Sequence, residues 1–124
     1  MLLYDRKIPV SHTMKLAPEP FEKMKEGTKT IELRLNDMKR KTVMTGDTVT
    51  FVNAKDPSKT FAATVLRLHA FPSFRELYRA LPLEKCGYSN EELITAKPED
   101  MDAYYSKEDQ LRFGVLGIEI KKAE

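Results

Sequence analysis

The chain has 124 residues, a mass of 14.3 kDa and a formal net charge of +2, which fits one domain and leaves little room for two. Hydrophobic residues make up 41% and charged residues 32%, an apolar share below the globular norm but sufficient for one compact core. No apolar run reaches the roughly 20 residues of a membrane span, Met1-Leu2-Leu3-Tyr4 is too short for a signal-peptide core, and the lone Cys86 cannot form an internal disulfide, so a reducing, cytoplasmic setting is expected.

Residues 1–11 read as an N-terminal extension in which Pro9 limits any regular ladder. His12 to Leu16 is a short strand. A helix follows from Ala17-Pro18-Glu19-Pro20, because proline suits the first turn and Glu19 and Glu22 favour the positive helix end. Phe21 and Met24 give it a small buried stripe, and Gly27 is its expected C-cap. Ile31, Leu33 and Leu35 then alternate with Thr30, Glu32 and Arg34, the two-residue period of a half-buried strand. Lys39-Arg40-Lys41 sits in the connection to Gly46-Asp47, a turn signal. Asp47 to Asn53 is a strand carrying Val49 and Phe51. Ala54 to Ser58 is a hairpin loop. Thr60 to Leu68 is apolar on both faces, as expected of a central strand.

The remainder is mainly helical. Phe74, Leu77, Tyr78 and Leu81 form an amphipathic stripe after the N-cap candidate Ser73, and Pro82 stops it. Ser89-Asn90-Glu91-Glu92-Leu93 and Pro98-Glu99-Asp100-Met101 look like two further helix starts. Val115 to Ile120 closes the sheet, with Leu116, Ile118 and Ile120 on one face. The fold class is α+β: a small barrel or strongly curved mixed sheet with helices packed at one side.

Net charge is too small to argue for nucleic acid, but its distribution is uneven. Residues 1–62 hold 12 Lys/Arg against 8 Asp/Glu (+4), and residues 63–124 hold 9 against 11 (−2). The basic excess lies in the half that contains Lys29, Glu32 and Arg34, which permits a basic patch on one side of the fold. Two histidines and one cysteine, at 12, 69 and 86, lack zinc-site spacing. Neither a metal nor a cofactor is expected.

Gly27-Thr28-Lys29-Thr30-Ile31-Glu32-Leu33-Arg34 is the most informative segment. On residue pattern alone, its polar side reads as a solvated strand face whose Glu32–Arg34 pair contributes ~0–1 kcal/mol if exposed. Parity sends Lys29 toward the Ile31 face, so it joins Glu32 and Arg34 only if the chain turns between Gly27 and Thr30. If the three converge, Glu32 orients Lys29, and Arg34 offers a planar fork for phosphate or carboxylate.

Gly-x-Lys-x-x-Glu-x-Arg after a short helix resembles the signature of the ASCH domain, the activating-signal-cointegrator homology family related to PUA RNA-binding modules. Gly27, Lys29, Glu32 and Arg34 match it. The likeness extends to His12-Thr13-Met14-Lys15-Leu16, Gly46-Asp47, Phe71-Pro72-Ser73-Phe74-Arg75-Glu76-Leu77 and Gly114-Val115-Leu116-Gly117-Ile118-Glu119-Ile120. It implies a PUA-like domain over residues 12–124 and recognition of RNA or a modified nucleoside.

For ASCH amidohydrolases acting on acylated cytidine, the resemblance implies a lysine, a nucleophilic threonine and an orienting glutamate. Lys29 matches the lysine, Glu32 stands where the threonine would fall, and Glu84 is the nearest candidate for the glutamate. ASCH relatives that look like ribonucleases imply a different use: Glu32 or a histidine (His12, His69) as base, with Lys29 and Arg34 stabilising the phosphorane. Catalytic candidates are therefore Lys29 and Glu32.

Binding needs less. The expected ligand contacts are Lys29, Glu32, Arg34, Lys15, Lys39, Arg40, Lys41 and Tyr105, the cations on phosphates and the aromatic on a base. Of the adjacent Tyr104 and Tyr105 one is expected to pack, and Cys86 reads as structural. The leading expectation is an RNA- or nucleotide-binding domain, followed by a hydrolase using the same cleft and by a protein-binding adaptor that docks its acidic helical half on a basic partner.

Overall fold

Where apolar residues alternate, the chain forms five strands: β1 Ser11–Leu16, β2 Ile31–Leu35, β3 Thr48–Asn53, β4 Thr60–Phe71 and β5 Val115–Lys122. The computed structural model describes residues 8–123. Most of the expected extension, residues 1–7, lies outside the described residues. One mixed sheet runs in the order β1-β3-β4-β5-β2, with β1 and β3 parallel and the other pairs antiparallel. The sheet curves into a half-barrel with helices packed to one side, an α+β architecture. Its edge strands β1 and β2, far apart in the hydrogen-bonded order, meet through the side chain of Arg34, whose Nη2 donates to the Lys15 carbonyl at 2.6 Å.

The helices are α1 Pro18–Glu26, α2 Met38–Lys41, α3 Phe74–Ala80, α4 Asn90–Leu93 and α5 Lys107–Phe113, with 3₁₀ turns at Leu83–Cys86 and Pro98–Ala103. Their ends follow local chemistry. Pro18 opens α1, and Gly27, at φ 92°, ends it. Ser73 caps α3, Ser89 and Glu92 make a reciprocal capping box on α4, and Ser106 caps α5. The helix over Lys107–Phe113 has no counterpart in the sequence expectation, since its seven residues carry no apolar stripe and bury none of themselves. Lys39-Arg40-Lys41 is likewise not plain connection but a single helical turn capped by the Asp37 carboxylate.

Two apolar clusters divide the interior. One fills the concave side of the sheet: Phe21 and Met24 of α1 meet Met14, Val49, Phe51, Phe61, Val65 and Ile118. Phe61 lies between Phe21 and Phe51, with ring centroids 5.1 and 5.3 Å away. The second joins Ile31, Leu33 and Leu35 of β2 to Phe74 and Leu77 of α3, with Cys86, Met101 and Val115. Strand β5 keeps Leu116, Ile118 and Ile120 on one face, as expected, and turns Val115 to the second cluster, so it is buried on each side. Strand β4 is less buried than its apolar residues suggest. A bulge between Val65 and Arg67 puts Leu66 outside the ladder, at 39% exposure, and the strand continues past Leu68 to Phe71. Among the described residues no helix is long and apolar enough to cross a membrane.

Leu77 is fully buried in the second cluster. Leu77→Ala is expected to lower unfolding free energy by about 2–5 kcal/mol, the range for truncating a buried leucine. Denaturant titration should show the midpoint falling with the slope unchanged.

Candidate functional site

Strand β2 supplies the site because its two faces meet different surroundings. Ile31, Leu33 and Leu35 turn toward the helical cluster. The opposite face, with Glu32 and Arg34, is paired across the ladder with Ile118 and Leu116. Residues opposed in this way share a face, so Glu32 points to the concave side of the half-barrel and not into water. It is 5% exposed, and the expected solvated strand face is corrected accordingly.

Lys29 reaches the same place through the turn that parity required. The N–H groups of Gly27, Thr28 and Lys29 all point to the Lys23 carbonyl, at 3.1, 3.0 and 3.1 Å. The chain therefore folds back around the end of α1 before β2 begins. The Lys29 stem then lies against Gly87. That glycine is at φ 109°, and a Cβ there would come 3.1 Å from Lys29 Cδ. Only glycine meets both conditions without strain. Lys23 Nζ donates to the Gly87 carbonyl at 2.8 Å, and Thr30 N to that of Lys85 at 2.8 Å, fixing this segment beside the strand.

Three ionic groups thus converge. Lys29 Nζ is 2.8 Å from Glu32 Oε1, Arg34 Nε is 2.5 Å from Glu32 Oε2, and Lys29 is 8% exposed. Burial on its own pushes the Glu32 carboxyl up. The ammonium and guanidinium beside it, and the hydrogen bonds they donate, outweigh burial and hold it below the usual carboxylate range. The carboxylate is ionised and both its oxygens are engaged. Lys29 and Arg34 keep further N–H donors that no group among the described residues accepts.

The trio floors a hollow of about 660 Å³ between the barrel edge and the helical half, within the size range of small-molecule sites. The barrel side contributes Lys15, Lys29, Glu32 and Arg34; the helical side contributes Tyr78, Tyr88, Asp100, Tyr104 and Tyr105. On that second wall the hydrogen bonds have one direction. Tyr88 donates its only proton to Asp100 Oδ2 at 2.9 Å, so Tyr78, 2.6 Å from the Tyr88 oxygen, must donate to it. The Tyr78 oxygen therefore keeps lone pairs only. Burial pushes the Tyr78 hydroxyl up to about 12 and, with the bond donated to Asp100, raises that of Tyr88 as well, so both retain their protons. Tyr105 is partly buried with its ring stacked on Phe74 at 6.2 Å, while Tyr104 is 74% exposed, the division expected of the pair.

The other anticipated residues separate. Lys15 lines the hollow. Lys39, Arg40 and Lys41 do not: Lys39 Nζ donates to the Thr13 carbonyl, Arg40 pairs with Asp37 at 3.2 Å, and Lys41 is exposed. His12 and His69 also stand elsewhere, on Asp47 and Glu119 at 2.8 and 2.9 Å. Glu84 is exposed outside the hollow, and the Thr28 hydroxyl donates to the Lys23 carbonyl. Cys86 lines the hollow with its thiol pushed up to about 12 by burial, against the opposing pull of Lys29, and such a thiol is inert. Nor is the lining a basic patch, since Lys15, Lys23, Lys29 and Arg34 are balanced by Glu19, Glu32, Glu92 and Asp100. Among the described residues no group of three or more His, Cys, Asp or Glu is arranged to hold a metal ion.

Sequence reasoning did not place Tyr78, Gly87 and Asp100 here. Tyr78 sits in the core stripe of α3, and Asp100 reads as an acid at a helix start, so neither carries a local signal of a hollow.

Comparison with known proteins agrees with this architecture. The model of the ASCH domain family matches residues 14–124. The crystal structure of hypothetical protein PH0355 is 28% identical, with a TM-score of 0.74 over 91% of this chain and 99% of that one. The solution structure of protein PF0455 from Pyrococcus furiosus is 32% identical, with a TM-score of 0.66 over 92% and 98%. The crystal structure of ASCH from Zymomonas mobilis shares the fold alone, at 11% identity and a TM-score of 0.59 over 88% of this chain and 65% of that one. No curated protein matches the chain.

Glu32→Gln leaves the buried Lys29 and the partly buried Arg34 without their counter-charge and is expected to cost about 3–5 kcal/mol of stability. Its effect has a defined pH dependence. A folded carboxyl held below the unfolded value near 4.5 stabilises fully above about pH 5, and that contribution vanishes as pH falls through the folded value. Unfolding free energies of wild type and variant should therefore differ by a constant amount at neutral pH and converge in acid.

Alkylation of Cys86 at pH 8 is expected to be much slower than that of a free thiol, and to accelerate on adding denaturant, read by mass spectrometry.

Proposed function

From the premise that this chain belongs to the ASCH domain family, we propose that it binds a nucleotide unit, free or within RNA, in the hollow floored by Lys29, Glu32 and Arg34. The observation that carries the reading is the polarity of the hollow. One wall presents cationic N–H donors on a buried carboxylate, and the other presents tyrosine rings and an oxygen that can only accept. A nucleotide has matching parts. Its phosphate or carbonyl oxygens suit Lys29 and the Arg34 fork, its base edge offers N–H donors to the Tyr78 oxygen, and its flat ring suits the tyrosine faces.

Hydrolysis in the same hollow is less well supported. A carboxylate with both oxygens engaged by cations and its proton affinity lowered is a weak general base. The alternatives require a threonine where Glu32 stands, and Thr28, Glu84, His12 and His69 lie outside the hollow or point away from it.

Titration calorimetry with 5′-mononucleotides and short single-stranded RNA tests the reading. Lys29→Met and Arg34→Ala, with folding checked by circular dichroism, are expected to weaken binding at least tenfold, about 1.4 kcal/mol each. Tyr78→Phe should weaken it several-fold. If the wild type binds no nucleotide or RNA at millimolar concentration, or if both variants bind as it does, the proposal fails. Chromatography of the same mixtures should show no product.

A further inference from the structure

A second hollow, of about 440 Å³, shares Tyr78 with the first as a lining residue. Its cations are Arg75 and Arg79 of α3. Residues four apart on a helix are neighbours on one face, about 6 Å along the axis, so Arg75 and Arg79 leave the same face of α3 and both line this hollow, while Phe74 and Leu77 turn into the core. Neither guanidinium has an ion pair or a side-chain hydrogen bond among the described residues, although both act on the exposed Glu76 through space. Leu83 and Pro98 line the floor, and Glu99 is the one carboxylate among the lining residues. Arginine is the side chain best shaped to grip phosphate, through its planar fork. The pair is therefore suited to a phosphate, and Tyr78 lines both this hollow and the one that holds the ionic trio.

We infer that Arg75 and Arg79 form a phosphate subsite continuous with the Lys29–Glu32–Arg34 hollow, so that the natural ligand is a single-stranded RNA spanning both rather than a free nucleotide. The inference rests on the nucleotide reading above and extends it to the neighbouring residue of a strand. One unit occupies the first hollow, the chain crosses the Tyr78 ring, and the next phosphate lies between the two arginines. An acidic peptide is the competing occupant, but peptide carboxylates give the aromatic step between the hollows nothing to stack, whereas the bases of a strand do.

The experiment compares a 5′-mononucleotide with oligoribonucleotides of two, four and eight units, by fluorescence anisotropy at low and moderate salt, in the wild type and in the Arg75→Ala/Arg79→Ala double variant. Both positions are exposed on the helix, so the variant is expected to fold. The wild type should bind the four-unit strand at least tenfold tighter than the mononucleotide. The double variant should lose that gain while keeping mononucleotide affinity. Its logarithmic salt dependence should be shallower by about 0.7 for each phosphate contact removed. A mononucleotide that binds through Lys29 and Arg34, with no gain from added units or a gain that survives in the double variant, overturns this inference and leaves the nucleotide reading standing. Failure of every nucleotide and RNA to bind overturns both. Retention of a polyglutamate peptide through Arg75 and Arg79, with no RNA length effect, assigns the pair to protein contact and also overturns it.

Discussion

A carboxylate buried between two cations holds this molecule's seam and its hollow together. Removing Glu32 from water carries a large desolvation cost, which Lys29 and Arg34 offset by charge and hydrogen bonding. Arg34 then reaches from one edge strand to the Lys15 carbonyl of the other. A five-stranded mixed sheet has two edges with unpaired backbone groups, and this side chain links them where the sheet itself does not close. Buried ion pairs are an inefficient means of stabilising a fold, since apolar residues of similar size often do as well. A trio with uncommitted donors facing a hollow agrees better with recognition than with packing alone.

The hollow exists because the interior is divided. One cluster packs inside the curved sheet and the other under the helices, and β2 stands between them. Its apolar face belongs to the helical cluster, so its polar face is left at the boundary. The helical half then contributes groups of a different kind. The tyrosine hydroxyls pass their protons in one direction toward Asp100, leaving an acceptor at Tyr78. Cation donors on one side and a directed acceptor on the other give the hollow an orientation that a basic patch would lack. Charges on the two sides balance, so the orientation of the hollow comes from their placement rather than from their sum.

Much of the fold was legible in the residues. Pro18 and Gly27 bracket α1, period-two alternation marks β2 and β3, and the 74–81 stripe marks α3. These follow from local rules of capping and periodicity. The departures were non-local. The bulge at Leu66 answers to pairing with β5, and α5 forms without an apolar stripe of its own. Closeness in sequence did not place clustered charge at the hollow either. Lys39, Arg40 and Lys41 are adjacent in sequence, yet they stand apart from the hollow.

What the chain determined by itself was the presence of Lys29, Glu32 and Arg34 around a glycine-ended helix, with the alternation that assigns Glu32 and Arg34 to one strand face. Backbone geometry over a few residues is enough for that. What only the tertiary structure decided was where that face points, that Lys29 turns to join it, and that Tyr78, Gly87 and Asp100 complete the surroundings. Those depend on sheet curvature and on contacts between residues some fifty or more positions apart, and such contacts leave no periodic trace in either segment read alone.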